Sequence, residues 1–290
     1  MEILKVENLV KKYPKFTLDN VSFSLEKGKI MGFIGRNGAG KTTTLKAIMN
    51  LIHVDSGRVE IFGKQFDENE LQNRTRISFA LGGADYFPFK TVRKLTQVTA
   101  RFYPEWDQKK FEYYLEKFGI DKDKKIKELS QGMKVKYSLA VALSHNSELF
   151  ILDEPTSGLD PISRDEILYL FQQLVSDGTR SVLFSTHITS DLDKCADSIT
   201  YIRNGQLVVS NKSKDEFIAC YKLVSGPLEN LTDDIKSKLI SWRPERQLFT
   251  GLVEASKASL IPENVKVSTP DLEDIMVFLE RGNGDEESII

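Results

Sequence analysis

The sequence predicts an α/β fold with a parallel β-sheet at its centre. Three short, mainly apolar segments predict strands, at residues 30–34, 149–152 and 181–185. Continuous apolar runs of this length are typical of strands that are buried on both faces. Segments with helical periodicity lie between them, and strands that alternate with helices favour a parallel sheet with right-handed crossovers.

Strands with one buried face are predicted near the N-terminus. Apolar residues alternate with polar ones over residues 19–25, and Val59 and Ile61 repeat the pattern. A helix is predicted after the strand at 30–34, because four apolar residues recur at helical spacing and form one stripe. The stripe residues are Leu45, Ile48, Met49 and Ile52.

Further elements follow along the chain. Residues 82–145 are expected to be mostly helical, with an aromatic cluster, and a helix is expected around residues 162–176. Asn204-Gly205 predicts a hairpin, because both residues tolerate the positive φ angles of a tight turn.

The periodicity changes after about residue 213. We therefore predict a large domain over residues 1–213 and a small C-terminal extension over 214–290. The extension mixes short apolar runs with Pro and Gly turns, and a frayed tail is expected from Gly282. Its last predicted helix has an apolar face made of Leu272, Ile275, Met276 and Leu279.

The composition describes a folded, nearly neutral chain. Of its 290 residues, 40% are hydrophobic and 28% are charged, which suits one large domain with a small appendage. The net charge of -2 gives no basic field, so no nucleic-acid partner is expected. Two cysteines and three histidines exclude a disulfide framework, a cysteine-based zinc site and a histidine-rich metal site. The sequence contains neither a membrane span nor a signal peptide, so a cytoplasmic location is expected.

The strongest motif joins the strand at 30–34 to its helix. Its pattern, G-x-x-x-x-G-K-[ST], is a phosphate-binding loop, and the strand and helix around it favour this over a glycine-rich turn without ligand. The loop residues are Gly35, Arg36, Asn37, Gly38, Ala39 and Gly40. Their backbone N–H groups can wrap around one anion, and the helix N-terminus adds partial positive charge. We expect Lys41 to reach the β- and γ-phosphates, Thr42 to ligate Mg²⁺ and Thr43 to hydrogen-bond phosphate.

Two carboxylates follow the apolar segment at 149–152. Ligands of open parallel sheets bind at the carboxyl ends of the strands, where Asp153 and Glu154 are expected. Asp153 suits the Mg²⁺ shell, and Glu154 suits the polarisation of an attacking water. The alternative is that both acids only cap the turn that follows.

Two polar residues lie near this edge. His187 follows the strand at 181–185 and is interpreted as a γ-phosphate sensor rather than a structural histidine. Ser130 is a plausible N-cap for a helix whose apolar face includes Leu139 and Leu143. By itself, that segment would indicate an ordinary capped helix.

Taken together, the motifs resemble those of the ATP-binding subunit of ABC transporters over about residues 3–210. The shared features, in order, are the phosphate loop, Leu-Ser-x-Gly, apolar-Asp-Glu, Ser-Gly-Leu-Asp and Ser-Thr-His. The resemblance implies a P-loop NTPase (RecA-like) core, an N-terminal antiparallel β subdomain and a helical signature subdomain. It also implies an ATPase whose cofactors are ATP and Mg²⁺.

The resemblance further implies a head-to-tail dimer with a second ATP-binding subunit. Ser130 and Gly132 of the signature would contact the γ-phosphate of the ATP held by that subunit, although Gln131 and Met133 depart from the usual signature. The loop of residues 157–160, ending in Asp160, would cross the dimer interface. Tyr13 would stack on adenine, and a buried tyrosine at a strand end is the alternative.

One family residue is missing. A glutamine that contacts Mg²⁺ and water is expected at the position of Gly82, which puts the usual coupling to the transporter in doubt. Gln72 lies too early, and Gln97 is expected in a helix beyond the loop. Asp85 is the nearest substitute with suitable oxygen chemistry, and a solvated loop residue is its alternative role.

The partner implied by the resemblance is an integral-membrane permease. Its short helix would bind the aromatic-rich stretch from Tyr86 to Trp106, whose rings are expected partly in that groove and partly in the subdomain core. The chain is similar to exporter ATPases of Gram-positive bacteria, including those for antimicrobial peptides, and would lie peripherally at the inner face of the membrane. A soluble ABC ATPase that is not coupled to transport is the alternative.

Overall fold

The computed structural model describes residues 1–66, 73–81 and 87–281. The chain divides into two compact units, the first ending at Asn211 and the second beginning at Lys212.

The first unit contains two sheets and six described helices of the α type. Its strands are β1 (Glu2–Tyr13), β2 (Phe16–Glu26), β3 (Ile30–Ile34), β4 (Ser56–Ile61), β5 (Lys64–Gln65), β6 (Ile77–Leu81), β7 (Leu149–Asp153), β8 (Ser181–Thr186), β9 (Ser198–Arg203) and β10 (Gln206–Lys212). Its helices are α1 (Lys41–Ile48), α2 (Val92–Thr99), α3 (Gln108–Lys117), α4 (Gln131–Ser144), α5 (Pro161–Val175) and α6 (Thr189–Cys195).

The central sheet has the strand order β10-β9-β3-β8-β7-β6. The five strands from β9 to β6 pair in parallel, and every residue of β3, β7 and β8 is buried. Asp153 at the end of β7 pairs with Ser185, and Ile34 at the end of β3 pairs with Thr186. The carboxyl ends of these three strands therefore meet at one edge, as expected for a parallel α/β core.

A second sheet, of order β2-β1-β4-β5, is antiparallel and forms the predicted N-terminal β subdomain. Buried side chains alternate in the second half of β2, where Val21, Phe23 and Leu25 lie in a core shared with Phe33 and Leu183 of the central sheet. Full burial of each such side chain contributes about 1.5–3 kcal/mol. The fold class predicted from the sequence is confirmed.

The helices α2 to α4 have a core of their own, which includes Phe111, Leu115 and Tyr137. Each of these helices begins at a capping side chain, respectively Thr91, Asp107 and Ser130, whose oxygen accepts backbone N–H groups of the first turn.

Two local predictions have different outcomes. The Asn204-Gly205 hairpin is confirmed, with φ angles of 48° and 80°. The stripe that predicted a helix through Ile52 is wrong at its end, because α1 ends at Ile48. Asn50 takes a φ of 51°, which a continuing helix does not allow, so Ile52 packs against the core from the next segment.

The second unit is a four-stranded antiparallel sheet with short helices. Its strands are β11 (Tyr221–Pro227), β12 (Ser241–Glu245), β13 (Leu248–Glu254) and β14 (Lys266–Ser268), and its helices are α7 (Lys214–Ala219), α8 (Asp233–Lys238) and α9 (Leu272–Arg281). The order β12-β13-β11-β14 is that of a split β-α-β arrangement. Val224, Phe249 and Ile235 belong to its core, and the predicted C-terminal helix is present with its apolar face buried. The predicted frayed tail lies outside the described residues.

Candidate active site

The phosphate loop lies between β3 and α1 and leaves the first turn of that helix open. Gly40, the N-cap of α1, has a φ of 118°, and a β-carbon there would come within 2.9 Å of the Phe16 ring. Only glycine combines this backbone conformation with such a close approach. No side chain in the described part of the chain caps α1, so its first N–H groups remain available to an anion.

Lys41 is buried at the base of the loop. Its ammonium donates to the carbonyl oxygens of Gly35 at 2.6 Å and Arg36 at 3.1 Å. The same Nζ lies 3.0 Å from Oε1 of Glu154, a contact that is electrostatic because this oxygen makes no aligned hydrogen bond. A buried cation held in this way strongly favours an anionic ligand beside it.

Asp153 is hydrogen-bonded through both carboxylate oxygens. Thr42 Oγ1 donates to its Oδ2 at 2.7 Å, and Ser185 Oγ donates to its Oδ1 at 2.6 Å. The helix that begins at Lys41 and the two strands β7 and β8 therefore converge on one carboxylate. Strand register explains the second contact, since Asp153 and Ser185 are paired residues.

Glu154 lies directly after β7 in an unusual backbone conformation. Its φ is 49°, a left-handed value that few residues other than glycine adopt, and its N–H donates to Ser185 Oγ at 2.9 Å. Its Oε2 lies 2.8 Å from Nδ1 of His187. An ionised carboxylate only accepts hydrogen bonds, so Nδ1 is the donor in this pair.

A cleft of about 350 Å³ lies over the phosphate loop. Its lining includes Lys41, Thr42, Thr43 and Glu154. Phe16 also lines it, whereas Tyr13, which ends β1 and is 41% exposed, is not among the lining residues described. The predicted alternative of a buried tyrosine is wrong for Tyr13.

The oxygen atoms of Thr42 and Asp153 are the donors that fit Mg²⁺. This ion usually takes one or two carboxylates together with substrate phosphates and waters. Within the described ranges, no group of three or more His, Cys, Asp or Glu residues could form a cage from protein ligands alone. The oxygens of Thr42 and Asp153 therefore suit a metal ion that takes its remaining ligands from phosphate and water.

The other predicted site residues lie apart from this cleft in the single chain. Ser130 is exposed and caps α4, accepting the N–H of Met133 at 3.2 Å. Asp160 is also exposed and caps α5, accepting the N–H groups of Ile162 and Ser163. The hydroxyl and backbone of Ser163 hold the pKa of Asp160 below its usual value. Neither these residues nor Gly132 are among the described lining of the cleft.

Several predictions concern the segment near β6. Gly82, Asp85 and Gln72 lie outside the described residues, and Gln97 lies in α2 as expected. The aromatic residues divide between core and surface, because Trp106 packs in the helical core whereas Phe87, Phe89 and Phe102 are at least 63% exposed. The groove for a permease helix stays a prediction. Tyr86 also lies outside the described residues.

Three residues were missed by sequence reasoning. Phe16 contacts the loop, Ser185 bridges Asp153 and Glu154, and Asp191 is a fully buried carboxylate in α6. Asp191 accepts from Thr156 at 2.6 Å and Thr186 at 3.1 Å. For Ser185 and Asp191, the sequence indicates at most a polar residue close to a motif, and it does not specify which residue is the hydrogen-bond partner.

Comparison with known proteins identifies the class. Residues 18–157 match the ABC transporter family. The bacitracin transport ATP-binding protein BcrA of Bacillus licheniformis is 34% identical over 71% of this chain and 68% of its own length. The lantibiotic transport ATP-binding protein SrtF of Streptococcus pyogenes is 32% identical over 72% of this chain and 91% of its own length.

A solved structure of an ATP-binding subunit of an ABC transporter superimposes with a TM-score of 0.66 and 25% identity, covering 74% of this chain and 91% of that one. The chain belongs to the ATP-binding family of ABC transporters. It is an ATPase of that family, and the resemblance inferred from its motifs is confirmed. No helix in the described ranges combines the length and apolarity needed to cross a bilayer.

Proposed function

We propose that this chain is the ATPase subunit of a membrane exporter and that it hydrolyses ATP to ADP and phosphate at the cleft over the phosphate loop. The observation that supports this most strongly is the contact of one carboxylate, Glu154, with both Lys41 and His187 at the edge where Thr42 meets Asp153. A carboxylate, a buried cation and an imidazole thus lie in contact at this edge of the sheet.

The phosphate loop and Lys41 bind the polyphosphate. Backbone N–H groups and the Lys41 ammonium spread positive charge over the β- and γ-phosphate oxygens, where charge develops during transfer. Thr43, which lines the same cleft, supplies a further hydroxyl donor. These groups bind and orient the nucleotide.

Glu154 orients the water that attacks the γ-phosphorus. The water oxygen forms a new bond to the γ-phosphorus, the bond from that phosphorus to the ADP oxygen breaks, and the Glu154 carboxylate accepts the proton that the attacking water loses. His187 holds the other Glu154 oxygen. In the predicted role of a sensor, it would contact the γ-phosphate. Thr42 and Asp153 would hold Mg²⁺, which when bound neutralises charge on the phosphate oxygens.

The complete site requires a second ATP-binding subunit. Ser130, Gly132 and Asp160 lie apart from the cleft of their own chain, which suits residues that act on the nucleotide of a partner in a head-to-tail dimer.

A separate permease is the transport partner, and its cargo class is antimicrobial peptides or similar amphipathic compounds. The names of BcrA and SrtF, which refer to bacitracin and lantibiotic transport, support this choice. The exposed rings of Phe87, Phe89 and Phe102 offer apolar contacts to the helix of such a permease. Co-purification from membranes with a multispan protein tests this, and recovery of an active ATPase without one favours the soluble alternative.

Glu154→Gln tests the hydrolytic role. The amide keeps the size of the side chain but cannot accept the water's proton, so we expect MgATP binding to persist while hydrolysis falls about a hundredfold or more. Phosphate release and binding of a fluorescent ATP analogue measure the two properties. Glu148→Gln, which changes a carboxylate that pairs with Arg76 at 2.7 Å, is the matched control. Near-normal turnover in Glu154→Gln would contradict the proposed function.

A further inference from the structure

We propose that Ser185 is a positioning residue of the hydrolytic site, whose hydroxyl fixes both the Asp153 carboxylate and the backbone of Glu154. The inference rests on the proposed roles of those two acids. Ser185 lies near the end of β8, is fully buried and is paired with Asp153 in the parallel register. A buried hydroxyl must find hydrogen-bond partners, and here both partners belong to the site.

The bonding capacity of a hydroxyl matches these partners. Its single proton goes to Asp153 Oδ1 at 2.6 Å, and one lone pair accepts the N–H of Glu154 at 2.9 Å. Because Thr42 donates to the other oxygen of the same carboxylate, Asp153 is held from both sides. Alanine can satisfy neither neighbour of Ser185.

The hydrogen bond between Ser185 and the backbone of Glu154 stabilises a residue in a strained conformation. A φ of 49° is unfavourable for glutamate, so the surrounding contacts must hold it. The N–H bond to Ser185 anchors the backbone from which the side chain reaches both Lys41 and His187. Loss of that bond frees Glu154 to leave the position from which it orients water.

The test compares kinetics with metal binding in the full-length protein. We expect Ser185→Ala to lower kcat about ten- to a hundredfold, the usual cost of removing a side chain that orients a metal-binding carboxylate. The dissociation constant of metal-free ATP should change less than about twofold, because in the described ranges Ser185 makes no hydrogen bond to the phosphate loop and reaches Thr42 only through Asp153. Electron paramagnetic resonance with Mn²⁺ and a non-hydrolysable ATP analogue should show a dissociation constant raised about tenfold. Ser185→Thr, which keeps the hydroxyl, should restore most of kcat and Mn²⁺ affinity.

Ser181→Ala is the matched control in the same strand. Ser181 is equally buried, but it bonds at the other end of β8, where it accepts the N–H of Gly28 at 2.9 Å. This variant should lower the melting temperature yet keep kcat and Mn²⁺ affinity. An equal loss of kcat in Ser181→Ala would overturn the proposal, because the effect would then be structural.

Wild-type kcat and Mn²⁺ affinity in Ser185→Ala would also overturn the proposal. If that variant does not fold, Ser185→Cys keeps the volume with much weaker hydrogen bonds, and wild-type kcat in the folded cysteine variant would overturn it equally. Glu154→Gln in the same assay distinguishes a failure of the Ser185 proposal from a failure of the proposed function. If Glu154→Gln is inactive while Ser185→Ala is normal, only the role of Ser185 fails; if Glu154→Gln is active, the proposed function itself fails.

Discussion

At the scale of single residues, one buried carboxylate organises the segments around the hydrolytic cleft. Asp191 accepts hydrogen bonds from Thr156, which follows Glu154 closely, and from Thr186, which precedes His187. It also pairs with Arg164 of α5. A buried ion of this kind is stable only when its partners are complete, so the three segments keep one relative arrangement.

We predict that Tyr13, rather than Phe16, stacks on the adenine base of ATP. We expect Tyr13→Ala to raise the ATP dissociation constant about tenfold, as loss of a stacking platform does, without changing the affinity for tripolyphosphate. Phe16→Ala should weaken both ligands, because the Phe16 ring lies against Gly40 of the loop. Calorimetric titration measures both affinities.

The control for this comparison is Tyr169→Ala, which removes a tyrosine that is 60% exposed on α5. It should bind both ligands like the wild type. Unchanged ATP affinity in Tyr13→Ala would show that Tyr13 does not carry the base, and a selective loss of ATP in Phe16→Ala would give that role to Phe16.

At the scale of elements, α4 is secured at both ends by single side chains. Ser130 caps its first turn, and His145, immediately after its last residue, is buried with its ring stacked on Tyr103 at 3.6 Å between centroids. His145 Nδ1 also lies 3.1 Å from the carbonyl oxygen of Thr75, just before β6. The end of the helix is thus tied to the start of a strand in the central sheet.

The burial of His145 predicts that the helical subdomain becomes less stable as the pH falls. Burial lowers the pKa of His145 to about 4 in the folded chain, from an ordinary value of 6.5. Between these values the unfolded chain binds the extra proton, so the free energy of unfolding falls as pH decreases from about 6.5 to about 4 and levels off below. The difference between the pKa values of the unfolded and folded chain limits this loss of unfolding free energy to about 3 kcal/mol.

His145→Gln keeps an N–H donor for Thr75 but does not titrate, so its melting temperature should fall less steeply over this pH range. Thermal melts between pH 4 and 7 measure the slope. The exposed His53, changed to Gln, is the control and should keep the wild-type slope. Equal slopes in all three proteins would contradict the role of His145.

At the scale of the whole molecule, the composite site makes a prediction about mixtures. Lys41→Ala should abolish tight ATP binding because it removes a buried cation, and Ser130→Arg should keep ATP binding but block hydrolysis at the composite site to which it contributes. Each variant by itself should be inactive. In an equimolar mixture half of the dimers combine the two chains and have one intact site, so at most about a quarter of the wild-type phosphate release should return. Activity that is independent of protein concentration in the wild type, or no recovery on mixing, would contradict the shared site.

The sequence by itself determined the features that depend on neighbouring residues. The apolar runs predict β3, β7 and β8, the phosphate loop follows β3 directly, and the Asn204-Gly205 turn depends on two adjacent residues. The order of the motifs was sufficient to predict the family. Periodicity is less reliable at element ends, since Ile52 continues the stripe of α1 although the helix ends before it.

Only the tertiary structure decided how these parts meet. Strand register places Ser185 opposite Asp153, and neither residue specifies the other locally. The left-handed conformation of Glu154, the position of Phe16 beside Gly40 and the buried partners of Asp191 likewise come from segments that are distant in sequence. The physical reason is that periodicity and turn chemistry act over a few residues, whereas hydrogen bonds at a sheet edge form only after the strands have packed.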